Sequence, residues 1–408
     1  MGISVELLLI ILCSVVVLSY LFSIISQYIK VPSVLLLLFA GIAFRAIADA
    51  NDVTIPIPLN IVEGLGVVGL IMIVLEAGLD LKLGRDKTKL IRDSFLAALL
   101  ILILSTASLT AILHYWLRED VKICIVYALP LSIMSSSIVL PSIHHLSPGK
   151  KEFLIYEASF SDIIGILLFN YFTAGEILTS RSIGLFGLNI LAAVILSLVL
   201  SFLLFLVMAK TRMTVKFFFI FSLLILIYSG GKLLHLPSLL IILVFGLMIN
   251  NWEKIPLPGL LTRYPRNQVE PLREFLHSIT AESSFLIRTF FFILFGYSID
   301  LSLIASQEVI LIGSLMVLAL FVVRFLYLRF VFHTTIFPEV FFIPRGLITI
   351  VLFYKIPASL KLTTFNDGIL FFIILSTGII LSLGMVFYRK KNDEVIEDPQ
   401  FSERKDIL

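Results

Sequence analysis

Thirteen stretches of this chain are candidate membrane spans, and this constrains the fold more than any single motif does. A span needs about 20 mostly apolar residues, because the hydrocarbon layer is about 30 Å thick and a helix rises about 1.5 Å per residue. The stretches lie near residues 5–27, 32–48, 59–80, 91–115, 122–145, 152–176, 184–208, 216–232, 236–250, 283–300, 308–332, 337–357 and 366–388. Hydrocarbon offers no water to bond the backbone, so each N–H and C=O must find its partner inside the protein. The expected fold is therefore an all-α polytopic membrane protein. The spans at 32–48 and 236–250 are short and begin at Pro32 and Pro237. The first span has neither a basic leader nor a small-residue cleavage site, which predicts a retained helix.

Composition agrees and narrows the function. Of the 408 residues 59% are hydrophobic and only 14% are charged, against about 25% charged in an average soluble domain. A soluble globule could not bury that much apolar side chain. A cytosolic enzyme, a nucleic-acid partner and a disulfide scaffold are excluded, and the formal net charge of +3 does not point to a polyanion. Cys13 and Cys124 lie in apolar runs and read as small core residues. His144 and His145, adjacent and on different faces of any helix, read as a loop pair and not as metal ligands. No Gly-x-Ser-x-Gly or His-Glu-x-x-His pattern accompanies the serines, so an enzyme is not expected, and no cofactor is implied.

The basic residues set the orientation. Of 31 Lys and Arg, sixteen fall in odd-numbered loops, seven in even-numbered loops, five in the tail and three inside spans. Positive residues stay in the cytoplasm, which predicts odd loops and the C-terminus inside and the N-terminus outside, in a cell (inner) membrane. The ninth loop, 251–283, carries Pro256, Pro258, Pro265 and Pro271, and its segment Glu270–His277 is expected to form a short interfacial helix. The chain reads as one membrane domain, 1–388, with a short charged tail, 389–408, expected to be disordered.

Charges inside the spans are few: Glu76, Glu157, Asp162, Arg288, Arg324 and Arg345. Such groups are costly in a bilayer and usually mark a pathway or a partner. Counted from the cytoplasmic side, Glu157 lies about 8 Å deep and Asp162 about 15 Å deep, while Arg324 and Arg345 lie at about 12 Å. Glu157 and Asp162 are five residues apart and so face different ways on a helix. Glu157 is matched in depth with Arg324, which predicts an ion pair holding core helices together. Asp162 has no evident cationic partner. A carboxyl near the midplane can exchange a proton near physiological pH, and it can equally hold a small hard cation through oxygen. Arg288 is expected to snorkel to the interface. Arg345 either offsets helix ends or pairs with a carboxylate such as Glu76.

Two spans are interrupted. Span 5 carries Ser135, Ser136 and Ser137 and then Pro141, and span 12 carries Ile343-Pro344-Arg345-Gly346. Serine, proline and glycine all loosen the helical ladder. In a membrane such breaks survive only where they line a cavity or are buried in protein. The two spans correspond if spans 1–6 and 8–13 are inverted repeats joined by span 7, a pattern that points to a carrier site.

These residues resemble the motifs of the monovalent cation:proton antiporter superfamily, sodium/proton exchanger type. Glu157-Ala-Ser-Phe-Ser-Asp162 is similar to the span-6 signature Gly-Glu-Ser-Leu-Leu-Asn-Asp. Leu131–Pro141 resembles the span-5 pattern Leu-Ser-Ala-Thr-Asp/Ser-Pro, and Leu75–Asp80 the span-3 pattern Phe-Glu-Ala-Gly-Leu. Phe292–Ser298 resembles the end of span 10, and Pro344-Arg345-Gly346-Leu347 the Leu-Arg-Gly-Ala motif of span 12. The resemblance implies a homodimer in the lipid bilayer, with core spans 4–6 and 11–13 moving against scaffold spans 1–3 and 7–10. It implies exchange of protons for a monovalent cation (Na⁺, Li⁺ or K⁺) by alternating access, with Asp162 as the shared proton and cation site and Ser161, Ser135, Ser136 and Met134 around it. Glu157 pairs with Arg324, and Arg345 and Glu76 support. With one carboxylate evident at the site, electroneutral exchange is expected. The chain departs from the family at Ser161, Met134, Ser135 and Ala158, where oxygen ligands are lost or shortened. That leaves open the same fold carrying another solute or acting as a non-transporting sensor.

The charge asymmetry predicts that a fluorescent protein fused after the last span folds in the cytoplasm, and that alkaline phosphatase fused in the loop near Arg181 is active outside. The reverse pattern would contradict the assigned orientation.

Overall fold

The computed structural model describes residues 5–51, 59–84, 87–173, 180–210, 217–233, 238–252, 266–299, 301–332, 336–362 and 364–388. These form α1 (Val5–Ile29), α2 (Ser33–Ala50), α3 (Leu59–Asp80), α4 (Thr88–Leu117), α5 (Val121–Ser132), α6 (Ser136–Ser142), α7 (Pro148–Thr173) and α8 (Ser180–Lys210). The second half comprises α9 (Phe217–Leu233), α10 (Ser238–Asn250), α11 (Arg266–Ser298), α12 (Leu301–Ile304), α13 (Gln307–Tyr327), α14 (Leu347–Tyr354) and α15 (Gly368–Phe387). No strand occurs among the described residues. Seven helical stretches among them have the length and composition of a membrane span, and Phe218–Leu233 and Ser238–Asn250 are shorter apolar helices. The tail 389–408, Pro237 and the loop prolines Pro256, Pro258 and Pro265 lie outside the described residues.

The expected interfacial helix is not separate. Glu270–His277 is continuous with the tenth span in α11, and Pro271 sits within the helix. Pro271 is the sixth residue of the helix, past the first turn, so its missing N–H removes the bond that position would make to Asn267 O, and the helix continues through it. Helix ends elsewhere follow local chemistry. The Asp120 side chain accepts the Lys122 N–H at the start of α5, and Ser306 Oγ accepts the Val309 N–H at the start of α13. Arg118 ends α4 in a left-handed conformation, φ 56°.

Packing falls into two groups. In one, α11 packs on α2 and α3, α10 packs on α3, α8 and α9, and α1 lies against α2 and α11. In the other, α4 packs on α5, α7 and α13, and α13 packs on α15. Between the groups α3 packs on α14. Without a hydrophobic drive between helices in lipid, small residues that admit close backbone approach hold such contacts. At the α2–α11 crossing a Cβ added to Gly41 would come 3.0 Å from Gly296 Cα. Outward faces are apolar, as lipid requires: Leu311, Leu315 and Leu318 on α13 are 61%, 50% and 57% exposed. Cys13 also faces outward, whereas Cys124 is buried. The core position expected for Cys13 fails because α1 is peripheral: only 11% of its apolar window is buried. An apolar run gives no sign of which face meets lipid.

Gly41→Leu should drive α2 off α11. Thermal unfolding in detergent should show a midpoint several degrees below that of the parent protein, and an unchanged midpoint would show that this approach does not hold the helices.

Candidate functional site

The two interrupted spans are broken where the sequence places the break. Helix α5 stops at Ser132, whose hydroxyl donates back to Ala128 O at 2.8 Å. Residues 133–135 run extended before α6 restarts at Ser136. In the partner span a 3-10 turn (Glu339–Phe341) leads into extended backbone before α14 begins at Leu347. The two extended pieces pair: the Ser135 N–H donates to Pro344 O at 3.0 Å. Proline at 344 has no N–H to strand, and its carbonyl is the acceptor. The approach is close enough to require glycine at 346, because a Cβ there would come 2.6 Å from Ser135 Oγ.

Helix α7 lies across this crossing and supplies the carboxylates. Asp162 is 3% exposed. Its Oδ2 accepts the Ser136 N–H at 3.2 Å, so the carboxyl sits over the first turn of α6, where free N–H groups favour negative charge. Its Oδ1 has no hydrogen-bond partner among the described residues. One residue earlier, Ser161 Oγ accepts the Met134 N–H at 3.0 Å. Thus α7 satisfies two amides freed by the break. Ser135 Oγ bonds with Ser137 Oγ at 2.8 Å.

Glu157 and Arg324 form the expected ion pair, now with its geometry. Arg324 Nη1 donates to Glu157 Oε1 at 2.7 Å and Nη2 to Oε2 at 3.0 Å. The side chains are 1% and 2% exposed. This is a bidentate fork, which fixes direction as well as charge. Arg324 Nε donates to Glu339 O at 2.5 Å, which ties α13 to the re-entrant turn. Met134 Sδ lies 3.6 Å from Arg324 Nη1, so its thioether contacts the ion pair.

Arg345 is 2% exposed and does not meet Glu76. Its Nε donates to Leu131 O at 2.6 Å, and its Nη1 donates to Ile343 O at 3.2 Å and Pro344 O at 3.5 Å. It therefore offsets the carbonyls left open at the two breaks, the first of the two roles expected for it. Glu76 on α3 pairs instead with Arg288 on α11, Oε2 to Nη1 at 3.6 Å. Arg288 does not snorkel, because a carboxylate at the same depth lies on the helix beside it.

Several contributors carry no motif. Thr377 Oγ1 on α15 accepts the Arg345 N–H at 3.2 Å. Glu339 acts through its backbone, which side-chain reasoning does not reach. Ser159 is 1% exposed and its hydroxyl has no partner among the described residues. It stands three residues before Asp162, on the same helix face, and that spacing is the signal that could have found it. No group of three or more His, Cys, Asp or Glu side chains among the described residues could hold a metal ion.

The chain matches the family of the transmembrane sodium/hydrogen exchanger over residues 13–390. No curated relative matches it. Among solved structures, that of the sodium proton antiporter MjNhaP1 from Methanocaldococcus jannaschii at pH 8 superposes with a TM-score of 0.69 at 20% identity, covering 91% of this chain and 98% of that one. An electron-microscopy structure of the same antiporter gives a TM-score of 0.68 at 18% identity, with 94% and 97% covered. At these identities the likeness shows the fold.

Removing one partner of the buried pair leaves an uncompensated charge, at a cost of about 3–5 kcal/mol. Arg324→Met should therefore lower the thermal midpoint of the purified protein sharply, and adding Glu157→Leu should recover part of the loss. A single variant as stable as the parent would contradict the structural role of the pair.

Proposed function

Because the chain belongs to the sodium/hydrogen exchanger family, we propose that it exchanges protons for a monovalent cation, Na⁺, Li⁺ or K⁺, with the Asp162 carboxyl as the shared site. The observation that carries this reading is the Oδ1 of Asp162, which has no hydrogen-bond partner among the described residues while Oδ2 takes the Ser136 N–H. Protonated, that oxygen carries the proton. Ionised, it supplies charge and a lone pair to a cation. The two states exclude each other, and that competition is what obliges exchange. Hydroxyls of Ser159 and Ser136 and backbone carbonyls freed at the crossing would complete the oxygen shell.

One carboxylate alternating between a proton and a monovalent cation moves equal charge in the two directions, so exchange is electroneutral. Alternating access would move the α4–α7 and α13–α15 group against the remainder. Two contacts between the groups fit such a division and would have to change with it: Lys355 Nζ to Tyr228 Oη at 2.7 Å and Tyr156 Oη to Lys82 O at 2.7 Å. The protein would work as a homodimer in the inner membrane, with the N-terminus outside and the C-terminus cytoplasmic.

In everted vesicles, Asp162→Asn should abolish cation-driven proton movement while leaving the protein folded, and unchanged activity would end this mechanism. A cation screen in proteoliposomes distinguishes a carrier of another solute, for which no monovalent cation would move protons. An exchange rate that follows membrane potential would contradict electroneutrality.

A further inference from the structure

The α13–α15 pair does not close along its whole length. Toward one end Phe372 lies on Gly313, where an added Cβ would collide with the ring. Toward the other end Phe341 of the 3-10 turn lies on Gly384 and meets the Phe321 ring edge-on, with centroids 5.7 Å apart. Between these contacts runs a groove of about 270 Å³, whose walls include Ser314, Leu318 and Phe321 of α13 and Phe372, Ser376 and Ile380 of α15. Leu315 and Leu318 on α13 and Ile379 and Leu383 on α15 are exposed around it, so the groove opens into hydrocarbon. A water takes about 30 Å³ and needs two or more polar partners. A groove this large with mainly apolar walls is not a water site. Left empty, it forfeits dispersion contacts along its lining.

The same face of α13 ends in a charge. Leu318, Val322, Phe325 and Arg329 are exposed, and their spacing of three or four residues keeps them on one stripe. From Leu318 to Arg329 the helix makes about three turns and rises about 16 Å. Arg329 stands in the π turn Leu328–Phe332 that extends α13, and no acidic group pairs with it among the described residues. Phe330 and Val331 beside it are exposed and apolar, as at a membrane interface. The hydrocarbon of one leaflet is about 15 Å deep, so the rise from arginine to groove matches the reach of an acyl chain from its headgroup.

We propose that the α13–α15 groove binds one acyl chain of an anionic phospholipid from the leaflet at Arg329, with the lipid phosphate on the Arg329 guanidinium. The chain supplies the packing that the groove lacks. The guanidinium attracts a negative headgroup and can bond its phosphate oxygens, whereas a zwitterionic lipid brings the same chains without net charge. Occupancy has a structural consequence. Phe341 closes the groove at the Arg329 end and lies two residues after Glu339, whose carbonyl takes the Arg324 Nε–H. The lipid thus backs the turn that carries the Glu157–Arg324 pair. The site does not depend on which ion the protein moves.

The test uses the full chain, delipidated in detergent and then given phosphatidylglycerol or phosphatidylcholine with identical chains. Phosphatidylglycerol should raise the thermal midpoint saturably, as a ligand of the folded state does, and by several degrees more than phosphatidylcholine. Arg329→Gln should reduce the phosphatidylglycerol response to the phosphatidylcholine level. Ser314→Phe, which fills the groove from an exposed position, should lower the response to both lipids. Native mass spectrometry gives a second readout that does not rest on unfolding: one phosphatidylglycerol retained per chain of the unaltered protein and none in Ser314→Phe. Inorganic phosphate should leave the midpoint unchanged, because it brings the charge without the chain. Equal responses to the two lipids, an undiminished response in Ser314→Phe, or a midpoint raised by phosphate alone would overturn the proposal. So would dissociation of a dimer by Ser314→Phe, which would put a second copy of the chain on the groove.

Discussion

Everything at the centre of this protein follows from the cost of breaking a helix inside hydrocarbon. An unbonded amide or carbonyl there costs several kcal/mol, and two spans are broken at the same level. The fold meets that cost by setting the breaks against each other and against α7. The Ser135 amide goes to Pro344 O, the Met134 amide to the Ser161 hydroxyl and the Ser136 amide to Asp162. Arg345 collects the carbonyls. Asp162 is thus part of the structural solution, and its Oδ1 has no hydrogen-bond partner among the described residues.

The Glu157–Arg324 fork serves a different end. It lies beside the crossing and links α7, α13 and the turn at Glu339. A neutral packed pair could give comparable stability. What the fork adds is direction, since a bidentate guanidinium fixes the rotation of α7 about its axis. Five residues on, that rotation sets where Asp162 points. Geometry at the Asp162 carboxyl is therefore inherited from the Glu157–Arg324 pair.

Much of this was legible in the sequence because charge is so scarce in the spans. The spacing of Glu157 and Asp162, with the depth of Arg324, was enough to assign the pair, and the triple serine and Ile343-Pro344-Arg345-Gly346 marked the breaks. What could not be read were contacts that depend on helix rotation and on backbone. Arg288 looked like a snorkelling residue because its partner Glu76 lies more than 200 positions away. The sequence does not choose between two roles for Arg345, because carbonyl acceptors leave no trace in side-chain identity. Met134 counted among the site residues by position, yet its sulfur turns to Arg324. Cys13 read as core because an apolar run cannot distinguish lipid from protein.

The central claim is that one carboxyl holds either a proton or a cation. Calorimetric titration of the purified protein with sodium chloride, repeated in buffers of different ionisation enthalpy, counts the protons released as the cation binds. The account predicts one proton released for each cation bound when Asp162 starts protonated, and no release in Asp162→Asn. Cation binding by the unaltered protein without proton release would contradict it.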